Sequence, residues 1–162
     1  MDNSEQREQR LKQRKTLSDL LVILSVLLCI VLIAGGVGWH YFYGPCGVNR
    51  VEQATDTLRE QYRVYDDAYQ IASTTSQIAL AGPVAEMQKI ERDTEKIEVP
   101  ACVEPAKREL IATIETSVNS FLSFMADESD AVVLAHADES RTHFMNYIDE
   151  MIAVEECAPF CK

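Results

Sequence analysis

Between Asp19 and Arg50 the chain carries no Asp, Glu, Lys or Arg, and that interval contains the run LLVILSVLLCIVLIAGGVGWHYFY, residues 20–43. A hydrocarbon layer is crossed by about 20 consecutive apolar residues at the helical rise. A soluble helix that is apolar on every side has to be buried on every side, and a chain of 162 residues is too short to enclose one of this length. Trp39, Tyr41 and Tyr43 gather at one end, where amphipathic rings favour the headgroup layer. Arg7, Arg10, Lys12, Arg14 and Lys15 precede the other end. The positive-inside rule then puts residues 1–19 in the cytoplasm and the chain beyond residue 43 outside the plasma (inner) membrane.

Processing signals fit the run less well. A cleaved signal peptide has an apolar region of about 7–15 residues and a small-x-small cleavage site. This run is longer and IAGGVG is a weak site, so it reads as an uncleaved signal anchor. A lipoprotein needs a small residue directly before the modified cysteine, whereas Cys29 follows Val-Leu-Leu. Gly35, Gly36 and Gly38 are read as glycines of the kind membrane helices tolerate, although they would also let a second helix approach closely.

From Arg50 onward there are 22 acidic and 10 basic residues. An acidic outer part argues against nucleic acid or an anionic surface as its partner. The basic REQRLKQRK stretch reads as the topology signal, with anionic inner-leaflet lipid as its natural neighbour.

The hydrophobic pattern of residues 44–162 is helical throughout. Val48, Val51, Thr55, Leu58, Tyr62, Tyr65, Tyr69 and Ala72 alternate by three and four, which predicts a helix over about 48–72. STTSQ, residues 73–77, is rich in poor helix formers and reads as a turn. Leu80, Pro83 or Val84, Met87, Ile90, Thr94 and Ile97 form a second stripe, for a helix over about 78–98. Here Pro83 either belongs to the first turn or kinks a helix begun earlier. Val103, Ala106, Leu110, Ile114, Ser117, Phe121 and Phe124, widened by Ile111, Val118, Leu122 and Met125, predict a third helix over about 103–126. Pro105 is acceptable in its first turn. DESD, residues 127–130, is a turn with an acidic start for a fourth helix over about 129–156, whose seam is Val133, Ala137, Ser140, Phe144, Tyr147, Met151 and Val154. Short connections make successive helices antiparallel neighbours. The expected fold class is all-α: a single N-terminal transmembrane helix followed by an extracytoplasmic antiparallel four-helix bundle. The proline breaks and STTSQ argue against one continuous coiled coil.

Four cysteines lie beyond the apolar run: Cys46, Cys102, Cys157 and Cys161. An even count in an oxidising compartment fits two disulfides. An up-down-up-down bundle brings all four to one end, with three connectivities open. The favoured pairs are Cys102–Cys157 and Cys46–Cys161, because the fourth helix neighbours both the first and the third. The swapped pairing, and Cys46–Cys102 with Cys157–Cys161, are the others. CAPFC has three intervening residues and follows a helix C-terminus beside Glu155 and Glu156, which raises rather than lowers a thiol pKa, so a redox role is disfavoured. A four-thiolate zinc site has acceptable spacing but competes with disulfide formation.

Two further constellations are candidates for chemistry. His136 and His143 share a face of the fourth helix, with Glu139 between them, as a low-ranking metal site. No Glu-x-x-His occurs, as a di-iron bundle would need. Tyr62, Tyr65 and Tyr69 could line a ligand pocket, although a core of amphipathic rings is the simpler account. No phosphate loop, nucleophile elbow, metalloprotease motif or haem-attachment motif is present. No cofactor, resident metal or catalytic residue is expected. The functional expectation is a non-enzymatic, membrane-anchored interaction or scaffold module of the cell envelope, its partners the lipid bilayer and another envelope protein. The alternative is a ligand- or metal-binding bundle using the tyrosine seam or the His136/His143 face.

Overall fold

A computed structural model describes residues 25–33, 35–36 and 46–157. The basic N-terminal tail, most of residues 20–43, and Cys161 lie outside the described residues. Residues 25–33 and 35–36 are helical and exposed. Among the described residues no helix is long and apolar enough to cross a membrane. The chain divides into two compact units, Met1–Tyr41 and Phe42–Lys162.

The second unit is a helical bundle, and no strand occurs among its described residues. Its helices are α1 (Val48–Thr74), α2 (Ala81–Glu95), α3 (Glu104–Met125) and α4 (Asp130–Cys157), with a 3-10 turn at Gln77–Ala79 between α1 and α2. The expected start of the second helix near 78 is corrected to Ala81. Residues 77–79 take the tighter 3-10 winding, and Pro83 then falls in the first turn of α2, where its missing N–H leaves no hydrogen bond unmade. The same helix stops at Glu95, short of 98, because the chain extends over residues 97–100 toward Pro100.

Local chemistry sets the other ends. The hydroxyls of Thr74 and Thr75 donate to the carbonyls of Gln70 and Ile71 (3.0 and 2.6 Å), the second satisfying an acceptor left open because the Thr75 N–H turns to Ala72. After α3, Asp127 takes a left-handed φ of 59°. The Glu128 N–H then reaches the Ser123 carbonyl (3.1 Å) and the Asp127 N–H that of Phe124 (3.2 Å). This is a Schellman closure made with Asp, one of the few L-residues that visits that region easily.

Register follows from contacts across the helices. Going up α1, Arg59 pairs with Glu155, Tyr62 stacks on Tyr147 and Phe144, and Tyr65 and Tyr69 meet Ser117 and Phe121. α1 therefore runs antiparallel to α4 and parallel to α3. The Glu109–His143 and Ser120–Val133 contacts make α3 and α4 antiparallel, and this is the most extensive helix pairing in the bundle. Leu58, Leu80, Met87, Val103, Ala106, Leu110 and Ile114 form the fully enclosed part of the core.

The parallel packing of α1 on α3 corrects the favoured disulfides. Cys46 and Cys102 immediately precede these two helices, their Cα atoms are 6.3 Å apart, and they are bonded to each other. Cys102–Cys157 and Cys46–Cys161 are thereby ruled out. The favoured pairs rested on antiparallel neighbours, whereas two parallel helices begin side by side, and the bond formed is the Cys46–Cys102 of another of the three connectivities.

Candidate functional site

The polar centre of the bundle is a line of hydroxyls across three helices. Ser140 Oγ donates to the backbone carbonyl of Thr113 (3.0 Å). Its only proton is thus committed, so Ser117 Oγ, 2.6 Å away, donates to Ser140. Tyr65 Oη, 2.6 Å from Ser117, in turn donates to Ser117. Each buried hydroxyl is satisfied by the next, and the line ends on a backbone acceptor that a side-chain change cannot remove. Serines at these two seam positions are small enough to let α3 and α4 approach closely. Burial pushes the Tyr65 phenol up to about 12, against the lowering effect of its serine partners.

Around this line lies an aromatic group. Tyr62 stacks on Phe144 (centroids 5.0 Å apart) and on Tyr147 (5.9 Å), and Tyr69 meets Phe121 edge-on at 5.5 Å. The tyrosine seam is thus filled by rings from α3 and α4 rather than open as a pocket. Tyr147 is the exception to the polar accounting. Its hydroxyl is buried and has no hydrogen-bond partner, and burial pushes it up to about 12 despite the opposing charge of Arg59.

The two histidines do not converge. His143 Nδ1 lies 2.8 Å from Glu109 Oε2 on α3, and Asn146 Nδ2 lies 3.3 Å from the same oxygen. His136 is 3.8 Å from Glu139. The hydrogen bond with His143 holds the Glu109 carboxyl below the usual carboxylate range, with burial acting the other way. A metal on this face would have to take His143 from Glu109. Among the described residues no three His, Cys, Asp or Glu side chains are grouped as a metal site needs. Glu109 and Ser117–Ser140 were not singled out as a pair or line from sequence. The signal for the second was available, since both serines occupy seam positions where an apolar residue is the default.

The surface differs between the two ends. At the cysteine end a groove of about 390 Å³ lies between the first turns of α1 and the 97–101 connection, lined in part by Arg50, Gln53, Thr57 and Glu98, and open to solvent. At the opposite end seven large apolar residues are exposed among the described residues: Tyr69, Ile71, Ile78, Leu122, Phe124, Val132 and Leu134. Ile78 is 98% exposed, and its neighbour Gln77 donates to the Phe124 carbonyl at 2.7 Å, which ties the 3-10 turn to the end of α3. The chain matches no family model, no curated protein and no solved structure.

Proposed function

We propose that this chain is a single-pass envelope protein: a cytoplasmic N-terminus, a membrane-spanning helix over residues 20–43, and an outer, disulfide-stapled bundle that serves as a non-enzymatic interaction module. The observation that carries the reading is the uncharged run from Leu20 to Tyr43, with bases before it and an acidic unit after it. Exposure of residues 26–28 and 30–33, each more than half accessible, fits a helix whose solvent is lipid. The Cys46–Cys102 bond fits an oxidising compartment. Within the bundle the hydroxyls of Tyr65, Ser117 and Ser140 are spent on one another and on the Thr113 carbonyl, while the far end exposes apolar and acidic surface, which suits binding rather than turnover.

The test is topology. Full-length chain should resist alkaline carbonate extraction from membranes. A membrane-impermeant maleimide added to intact cells should label Met145→Cys and leave Gln9→Cys unlabelled until the membrane is opened. Release by carbonate, or labelling of Gln9→Cys in intact cells, refutes the anchor.

A further inference from the structure

Mapping charge onto the fold divides the bundle in two. Residues 64–88 and 113–140 make up its far half: the second part of α1, the 3-10 turn, the first half of α2, the second half of α3 and the first part of α4. These two stretches contain nine Asp and Glu residues and no Lys or Arg. Ion pairs to Arg or Lys centre on Arg59, Arg63, Lys89 and Lys96. Among the described residues no cation is paired with Asp127, Glu128 or Asp130, which occupy the turn beside Phe124. The exposed apolar residues collect at the same end. Of the large apolar side chains exposed on the bundle, only Met145 and Ile152 lie outside the far half.

From this coincidence we infer that the tip formed by the 3-10 turn and the α3–α4 turn is a docking surface for a basic amphipathic segment of a protein partner. That segment inserts apolar side chains against Ile78 and Phe124 and sets Lys or Arg against Asp127, Glu128 and Asp130. Exposed apolar surface rimmed by charge marks an interaction site, and the sign of the rim selects the partner. A second copy docking tip to tip would set acid against acid, and anionic lipid and nucleic acid are repelled for the same reason. An apolar helix face flanked by Lys and Arg satisfies both features at once. The inference deepens the interaction-module reading and rests on it, but not on the membrane anchor.

The experiment uses the full chain, with its disulfide intact, in nanodiscs of uncharged lipid. The probe is a fluorescent helical peptide of about five turns with Leu along one face and Lys on its flanks; a matched peptide carries Glu in place of Lys. Anisotropy should show binding of the Lys peptide only. Ile78→Ser with Phe124→Ser, and separately Asp127→Asn with Glu128→Gln and Asp130→Asn, should each weaken it by about tenfold or more. Met145→Ser with Ile152→Ser should leave it unchanged. These are exposed positions, and unchanged melting temperatures will show that the variants remain folded. The proposal is overturned by equal binding of the Glu peptide, by indifference to the tip variants, or by equal sensitivity to the Met145/Ile152 pair. Tip-dependent self-association of the chain without peptide overturns it in favour of a second copy, and tip-dependent binding to anionic vesicles in favour of lipid. Failure here leaves the topology result untouched. Failure of the topology test leaves the tip result untouched.

Discussion

At the cysteine end the seam residues Val103, Ala106, Leu110, Leu58 and Val154 are buried; at the far end the same seams arrive at Phe121 and Val133, half-buried, and at Tyr69 and Phe124, exposed. Ala72 and Leu80 stay buried there, so the opening is on the α1, α3 and α4 side and not under α2. The cysteine end also holds the disulfide and the Arg59–Glu155 pair between helices. One repeat pattern therefore runs through two environments. The 3-4 spacing says which face of a helix turns inward, but the depth of burial depends on what covers that face. At the far end part of it is uncovered. The line from Tyr65 to Thr113 marks the boundary between the two halves.

The disulfide gives the largest expected effect on this contrast. A cross-link over 56 residues restricts the unfolded chain by roughly 4 kcal/mol in the loop-entropy treatment. Cys46→Ala with Cys102→Ala should therefore lower the melting temperature of the full chain in detergent markedly. Amide exchange should accelerate first at the start of α1 and in the 97–103 connection. Equal acceleration at the far end would break the comparison, because the two halves would then open as one unit.

Next in size is the boundary itself. Ser117→Ala removes the acceptor of the Tyr65 hydroxyl and the donor to Ser140, stranding polar atoms in the interior at about 1–3 kcal/mol. Both ends should lose exchange protection together, because the line joins α1, α3 and α4. A loss under about 0.5 kcal/mol would mean that the serines are replaceable small residues rather than the tie between halves.

Much of the fold was legible in the sequence, for a physical reason. Burial of one helical face imposes a 3.6-residue period, and prolines and Ser/Thr runs interrupt it. That is why the stripe Leu80, Val84, Met87, Ile90 and Thr94 is buried along its length. What the period cannot carry is which helices touch across the bundle. The parallel contact of α1 with α3 decided the disulfide, and no local pattern encodes it. Nor can periodicity say that Phe124 ends a seam in the open while Ala106 begins it in the core. Glu109 meeting His143 is the same kind of long-range fact, as both look like ordinary helix-surface residues in the sequence.

Tyr147 offers a smaller effect of opposite sign. Its hydroxyl is buried without a partner, so Tyr147→Phe should stabilise the protein by up to about 1 kcal/mol, whereas Tyr65→Phe, which empties a made bond, should cost about as much. The alkaline limb carries the same information. Both phenols sit at about 12 in the fold against 10 when unfolded. A raised folded value means that the neutral form is the one the fold favours. Its contribution is complete below pH 10 and is lost as the pH rises from about 10 through 12. Burial and the charge of Asp66 also raise Tyr62, so phenolate absorbance should show Tyr65 and Tyr147 among the late-titrating tyrosines, and each Phe variant should remove one. Titration of Tyr147 at its ordinary value would show that water reaches that hydroxyl, and the cysteine half would then be less closed than the contrast requires.

The smallest stability effect should come from Ile78→Ser, and its smallness is the sharpest statement about the far end. Ile78 sits in the middle of the 3-10 turn and Leu80 directly follows it, one 98% exposed and the other fully buried. Leu80→Ala opens a cavity against α2 and should cost about 2–5 kcal/mol. Ile78→Ser removes an apolar side chain from water and should change stability by less than about 0.5 kcal/mol in either direction. Chemical denaturation of the full chain, run on both variants, measures the pair directly. If Ile78→Ser destabilises by more than about 2 kcal/mol, something already covers Ile78 in the folded chain. The far end would then be a closed end, and both the contrast and the docking surface would fail together. If it is neutral while Leu80→Ala is costly, Ile78 contributes nothing to the fold that holds it, and a large isoleucine presented to solvent on an acidic tip is left to be explained by what binds there.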